Sequence, residues 1–312
     1  MQEAVYRTIL EQVEDGVYFV DLDRRITYWN AGAERITGYR AEEVQGHSCS
    51  EGILRHVTEG GYHLCTHGCP LAAVMTDGQS REASVYLHHK GGHRVPVVVM
   101  GSPIRGEAGE IVGSVEVFHV QRAADFAASH STDVNAAHRD PLTELGNRRF
   151  VEAHVKPVLA NNGTFGLLFL DIDHFKDVND TWGHSVGDAV LRMAGQSIAH
   201  GLRQADWPIR WGGEEFIAVV RSAGNLADLE VAAERLRMLI EESWLQVDSE
   251  RVAVTVSIGA TMVQAGEDWA QALDRADRLM YASKAAGRNR VTSDRGTLPA
   301  LDRRTMIELA CR

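Results

Sequence analysis

The chain reads as two successive domains, an α+β domain at the N-terminus and an α/β domain behind it. Three observations support this. Its 312 residues exceed what one ordinary hydrophobic core organises. The N-terminal part groups its strand patterns, an early hairpin and three later alternating segments, whereas the C-terminal half interleaves apolar strands with amphipathic helices.

Taken in order, GVYFVDLDRRITYWN, starting at Gly16, alternates apolar and polar residues on both sides of the turn-forming Asp21 to Arg24, which predicts strand, turn, strand. NAGAERITGYRAEEVQG predicts a helical segment. Beyond a Cys/His-rich stretch, REASVYLHH, HRVPVVVM and IVGSVEVFHV are separated by KGG and RGEAGE, as expected for a three-stranded antiparallel meander. This first domain spans 1–120. Residues 121–139 are Ala-rich and polar, with a sparse apolar spacing through Ala123, Phe126, His130 and Ala137. That spacing fits a connecting helix that pairs weakly with its twin, and it also fits a plain flexible linker.

The second domain, 140–293, starts at DPLTELGNRRF. TFGLLFLDID is a compact apolar strand ending in acids, and SVGDAVLRMAGQSIAHGLR carries Val190, Leu191, Ala194, Ile198 and Leu202 at helical spacing. Trp207 to Trp211 and Phe216 to Val220 suit pleated strands, so the intervening Gly212, Gly213, Glu214 and Glu215 form a hairpin tip. LADLEVAAERLRMLIEESW reads as a helix, RVAVTVSIGATM as a strand, and WAQALDRADRLMYASKAAG as an amphipathic helix stopped by Gly287. A tail, 294–312, follows, to which no function attaches.

Composition narrows the function. Hydrophobic content of 44% and charged content of 24% describe a soluble globular protein. The formal net charge of −11 argues against a groove for polyanions, so nucleic acid is not an expected partner. A phosphate ligand would need local cations, backbone amides or a bound metal. No apolar run approaches the roughly 18 residues that cross a bilayer, and the N-terminus lacks the basic and apolar regions of a signal peptide. No membrane insertion is expected, and the expected location is the cytoplasm. Four cysteines, Cys49, Cys65, Cys69 and Cys311, are then not a disulfide framework.

In FLDID, period-two geometry places Asp171 and Asp173 on one face. Beside a hairpin carrying Glu214 and Glu215, such a strand end gathers carboxylates, which repel one another unless a cation lies among them. Magnesium, with its preference for hard oxygen ligands, is the natural candidate.

The order of elements up to Val120 and the phrase ITYWNAGAERITGYRAEEVQG resemble a PAS sensor domain, which implies an antiparallel five-stranded sheet and short helices around a signal pocket. RWGGEEF, with LDIDHFKDVND upstream and YASKAAGRNRV downstream, resembles the diguanylate cyclase (GGDEF-domain) family over Asp140 to Val291. That resemblance implies a nucleotidyl-cyclase-like α/β fold, a mixed central sheet flanked by helices, and the condensation of two GTP molecules into cyclic dimeric GMP (c-di-GMP) with Mg2+ or Mn2+.

By matching positions, the resemblance implies that Asp171 and Glu214 hold the metal with the Ile172 carbonyl, and that Glu215 lies next to the reacting 3′-hydroxyl. Gly212 and Gly213 admit the nucleotide to the backbone, Asn179 and Asp188 read guanine, and Lys176, Lys284 and Arg288 contact phosphates. Asp188 also fits a helix-capping pattern with Ser185. Arg203 and Asp206 of RQAD match an inhibitory site for product, and a homodimer is implied because two GTP molecules must face each other. Glu144 stands where relatives often carry glycine. A competing reading, a silent receptor for GTP or c-di-GMP, is disfavoured because Asp171, Gly212, Gly213, Glu214 and Glu215 are all present.

GHSCSEGILRHVTEGGYHLCTHGCP concentrates Cys49, Cys65 and Cys69 with His47, His56, His63 and His67. Three thiolates and His67 would complete a zinc site. An iron–sulfur cluster or a redox-active thiol pair would use the same residues, and haem or a small organic ligand in the pocket stays open.

Overall fold

The computed structural model describes residues 2–121, 136–161 and 163–298. Residues up to Gln121 form one compact unit and those from Ala136 another. The connecting helix expected through Ala123, Phe126 and His130, and the tail beyond Leu298, lie outside the described residues.

In the first unit, β1 (Gly16–Asp21), β2 (Ile26–Trp29), β3 (Arg81–His88), β4 (Arg94–Arg105) and β5 (Ile111–Val120) form an antiparallel five-stranded sheet in the order β2-β1-β5-β4-β3. Around it lie α1 (Gln2–Gln12), α2 (Ala31–Thr37), α3 (Ala41–Val44), α4 (Leu64–His67) and α5 (Pro70–Asp77). The single helical segment expected from Asn30 divides into α2 and α3 because Gly38 takes a left-handed conformation, φ 75°, that stops the first helix. Asn30 caps α2 and is fully buried. Its side-chain oxygen accepts the backbone N–H groups of Val17 and Ala33 at 2.8 Å, and its amide donates to the Leu10 and Asp15 carbonyls. One residue thus ties the chain leading in to both β1 and α2.

The second unit is built on a six-stranded mixed sheet. Its strands are β6 (Phe165–Ile172), β7 (Trp207–Arg210), β8 (Glu215–Val220), β11 (Val256–Val263), β12 (Arg290–Ser293) and β13 (Gly296–Thr297), in the order β13-β12-β11-β6-β8-β7. Only the β11–β12 pairing is parallel. Because β13 pairs with β12, this sheet extends past residue 293, the boundary expected from the sequence. The strand expected over RVAVTVSIGATM divides into β10 (Glu250–Ala253) and β11. With β9 (Trp244–Val247), β10 makes a separate hairpin.

Strand alternation splits the core in two. Leu168, Leu170 and Ile172 face one side, against α9 (His184–Gly201) and α10 (Leu226–Glu241). Phe165, Leu167 and Phe169 face the other, against α11 (Trp269–Ala285) and a helical run, 148–160. That run is α6 (Arg148–Phe150), a π turn over Val151–Val155 and α7 (Lys156–Ala160). Between β6 and α9 lies α8 (Phe175–Trp182). At Gly259 a Cβ would lie 2.0 Å from the Ala276 carbonyl, so α11 rests directly on β11.

Candidate active site

The alternation that buries Phe165, Leu167 and Phe169 carries Asp171 onto the same face, the one covered by α11. β8 begins at Glu215, and its register places Glu215 directly opposite Asp171. Glu215 is therefore the first residue of a strand, and only Glu214 of the pair remains in the turn, where its carbonyl accepts the Ile172 N–H at 3.3 Å. Two carboxylates and the end of β6 meet at one sheet edge.

Electrostatics agrees. Burial is the largest cause holding the proton affinities of Asp171, Glu214 and Glu215 above the ordinary carboxylate range. Asp171 raises both glutamates further, and Asp277 raises Asp171 and Glu215. Against this, Lys284, whose Nζ lies 2.7 Å from Asp171 Oδ1 in an ion pair, lowers Asp171, and Arg148 with Lys284 lowers Glu215. Asp277 and Lys284 are seven residues apart on α11, two turns along one face.

Gly212 and Gly213 differ in what they permit. A Cβ on Gly212 would come within 2.5 Å of Glu215 Oε2, whereas one on Gly213 would meet nothing within 4 Å. The first glycine makes room for the Glu215 carboxylate, and the second borders open space. Beside them opens a cavity of about 400 Å³, lined by Asn147, Arg148, Arg149 and Trp211 as well as the two glycines.

The loop is braced from the segment that leads into the domain. Arg148 Nε donates to the Trp211 carbonyl at 2.7 Å, and its guanidinium stacks 4.6 Å from the Trp211 ring centre. Arg210 pairs with Asp140 at 3.1 Å and donates to the Gly213 carbonyl at 2.8 Å. Gly146 and Arg210 join through backbone hydrogen bonds, as do Gly146 and Pro208.

The remaining expected residues separate. Asp173 adds its charge to the raised proton affinity of Asp171, but its own carboxylate is engaged elsewhere. It lies one residue past β6, and its carboxylate accepts hydrogen bonds from Ser257 Oγ, Thr255 Oγ1 and the Asn289 N–H at 2.7–3.0 Å. Asn289, Arg288 and His174, which flank this anchor in the chain or by contact, all take left-handed backbone conformations, φ 46–62°. Arg288 and Lys176 are exposed. The capping pattern of Ser185 and Asp188, the alternative to guanine contact, forms no cap, because α9 starts at His184 with Gly183 at its N-cap and no side-chain cap. Asp188 is left exposed, and Asn179 packs so closely on Gly187 that a Cβ there would lie 2.0 Å from its Oδ1. Asp206 is buried and engaged by the Arg203 N–H and by the Ser222 N–H and hydroxyl at 2.9–3.0 Å, whereas the Arg203 side chain is exposed. Glu144 has φ 61°, which explains why glycine suits that position.

In the first unit Cys49 is buried, Cys65 and Cys69 are half-buried, and His67 is exposed with its Nδ1 2.7 Å from the Thr66 hydroxyl. Among the described residues no three His, Cys, Asp or Glu side chains close around one point as a metal cage does. Sequence reasoning missed Asp277 and Arg148. The helical spacing from Lys284 could have suggested Asp277, but nothing local marks Arg148.

The family model described as "Diguanylate cyclase, GGDEF domain" matches residues 137–290, and one described as "PAS domain" matches 14–119. The chain carries a GGDEF domain behind a PAS domain, as the motifs implied. "Diguanylate cyclase DosC" of Escherichia coli (strain K12) is 39% identical over 157 residues, 49% of this chain and 34% of that protein. "Response regulator PleD" of Caulobacter vibrioides (strain NA1000 / CB15N) is 40% identical over 159 residues, 49% of this chain and 35% of that one. The chain thus spans about a third of these curated relatives. Among solved structures, the GGDEF domain of DgcB from Caulobacter crescentus in complex with c-di-GMP shares 36% identity, covering 51% of this chain and 97% of that one, with a TM-score of 0.48. No helix among the described residues is long and apolar enough to cross a membrane.

Proposed function

We propose that the chain is a sensor-regulated diguanylate cyclase that joins two GTP molecules into c-di-GMP. The observation that carries this reading is the register of Asp171 against Glu215 beside an intact glycine pair, with Lys284 facing the acids.

Asp171, Glu214 and the Ile172 carbonyl would hold Mg2+ or Mn2+. The donor set fits. It consists of hard oxygens, its carboxylates repel one another, and magnesium takes one or two carboxylates and completes its shell with water and substrate phosphate, so no closed protein cage is needed. When bound, the metal would polarise the α-phosphate and orient the pyrophosphate leaving group.

Lys284, released from Asp171, is placed to meet phosphate, with Lys176 and Arg288 as further cations. Glu215 lies beside the reacting 3′-hydroxyl and accepts its proton as that oxygen attacks the α-phosphorus and pyrophosphate departs. Its proton affinity, raised by burial and by Asp171, suits a base better than an ordinary carboxylate would. Asp188 and Asn179 read the guanine edge. Each subunit of a homodimer supplies one GTP, which turns a bimolecular encounter into a positioned one. Product would bind the exposed Arg203 at the RxxD site and inhibit, while Asp206 holds that loop in shape. The PAS domain would set how two cyclase domains meet, in the cytoplasm.

The test is turnover. After bound dinucleotide is stripped, GTP and Mg2+ should give c-di-GMP by mass spectrometry, and Glu214→Gln should lower the rate at least about 100-fold. No product from the wild type, with c-di-GMP still bound tightly, would replace the enzyme by a receptor.

A further inference from the structure

Arg288 stands in a backbone that arginine does not favour. Gly287, Arg288 and Asn289 have three consecutive positive φ angles, 114°, 62° and 46°, between the end of α11 and the start of β12. Glycine adopts this region freely, asparagine tolerates it, and a long side chain resists it. Such a run persists only where its surroundings over-determine it, and the contacts that do so here converge on Asn289.

The Asn289 backbone N–H donates to Asp173 Oδ2 at 3.0 Å, and Asp173 directly follows Ile172, the last residue of β6. The Asn289 side chain is engaged at both ends. Its oxygen accepts from Arg237 Nη1 at 2.8 Å, and its amide donates to Glu241 Oε1 at 2.9 Å. Arg237 and Glu241 pair with each other on α10 at 2.8 Å, and Glu234 accepts from Nε and Nη2 of the same guanidinium at 2.6–2.9 Å. An amide can accept from the cation and donate to the anion in one place, whereas an aspartate would set a like charge against Glu241 and a glycine would make neither bond. Arg288 is fastened through its backbone as well. Its N–H donates to the Ser283 carbonyl at 3.0 Å, next to Lys284 in the last turn of α11, and its carbonyl accepts from Arg290 Nε at 2.9 Å. The residue itself is exposed.

We infer that Asn289 is a positioning residue for GTP, which locks the turn from Gly287 to Asn289 so that Arg288 leaves the backbone in the direction of the triphosphate. The inference rests on the reading of this site as one for GTP, and deepens it by assigning part of the phosphate affinity to an amide that touches no substrate. Backbone angles set the direction of each Cα–Cβ bond, so fixing φ at Arg288 fixes where its long side chain starts. The tether to Asp173 joins that turn to the end of β6, and the bonds to Arg237 and Glu241 join both to α10. The cation and the strand end that carries Asp171 and Ile172 are therefore held in one frame. A cation held in advance spends less of its binding energy on becoming ordered when the nucleotide arrives.

The experiment uses the full chain with Mg2+ and 3′-deoxy-GTP, which keeps the base and triphosphate but lacks the attacking hydroxyl, so calorimetry reads binding without turnover. Asn289→Gly, compatible with the left-handed backbone, should stay folded by circular dichroism yet bind at least about fivefold more weakly. Arg288→Ala should lose at least as much. The double variant should bind no more weakly than Arg288→Ala alone, because Asn289 acts through Arg288. Asn289→Asp should also weaken binding, and Glu241→Gln in the same chain, which restores a donor opposite the acceptor, should recover most of that loss. Additive losses in the double variant, wild-type affinity in Asn289→Gly, or no recovery with Glu241→Gln would each overturn the inference while wild-type binding stands. A wild-type chain that binds no 3′-deoxy-GTP would instead overturn the reading of the site as one for GTP, and the inference with it.

Discussion

Glu144 is a residue held against its own preference. Its φ of 61° lies where a side chain costs about 1 kcal/mol or more and glycine nothing. Glu144→Gly should raise the denaturant midpoint of the GGDEF domain, by about 0.5–1 kcal/mol in stability, without changing turnover. Glu116 makes a different prediction. Its carboxyl is raised from 4.5 to about 8, so the folded protein keeps a proton that the unfolded chain releases, and the associated stability is lost as pH rises toward 8. His56 works the other way, but only between about 4 and its ordinary 6.5, which leaves the window from 6.5 to 8 to Glu116. Urea unfolding of the PAS domain should weaken by on the order of 1–2 kcal/mol across that window, and Glu116→Gln should flatten the dependence. The sequence made Asp171, Glu214 and Glu215 legible because a two-residue period and a glycine turn are local signals. It did not reveal the role of Asp173, because an acid in a site and an acid absorbed by Ser257, Thr255 and Asn289 look alike until distant strands are registered.

At the scale of elements, the RxxD loop separates shape from recognition. Asp206→Ala strips the Arg203 and Ser222 N–H groups of a buried acceptor and should cost about 1–3 kcal/mol in thermal or urea unfolding. Arg203→Ala should leave stability unchanged and raise the c-di-GMP yield at high turnover. Product inhibition undiminished in that variant would count against the site. The long helices were legible because four or five turns of apolar spacing outweigh local ambiguity, as in α9 and α10. The β9–β10 hairpin was not, since each strand has four residues and β10 runs almost directly into β11. Division of the helical segment after Asn30 was signalled by Gly38, but glycine near a helix end reads equally as an interior residue.

For the whole molecule, the dimeric reading predicts that initial rate per enzyme rises with protein concentration and then saturates, as subunits pair to complete the site. A specific activity independent of concentration from the nanomolar range upward, with monomers seen by light scattering, would reject it. Two domains were legible from length and from the change in pattern between grouped strands and interleaved helices. What the sequence could not convey is how the second domain is gripped at its start. Asp140 holds Arg210, Arg210 holds the Gly213 carbonyl, and Arg148 holds that of Trp211. The glycine turn beside the acids is therefore anchored from the first residues of its own domain, by Asp140 through Arg210 and by Arg148 directly.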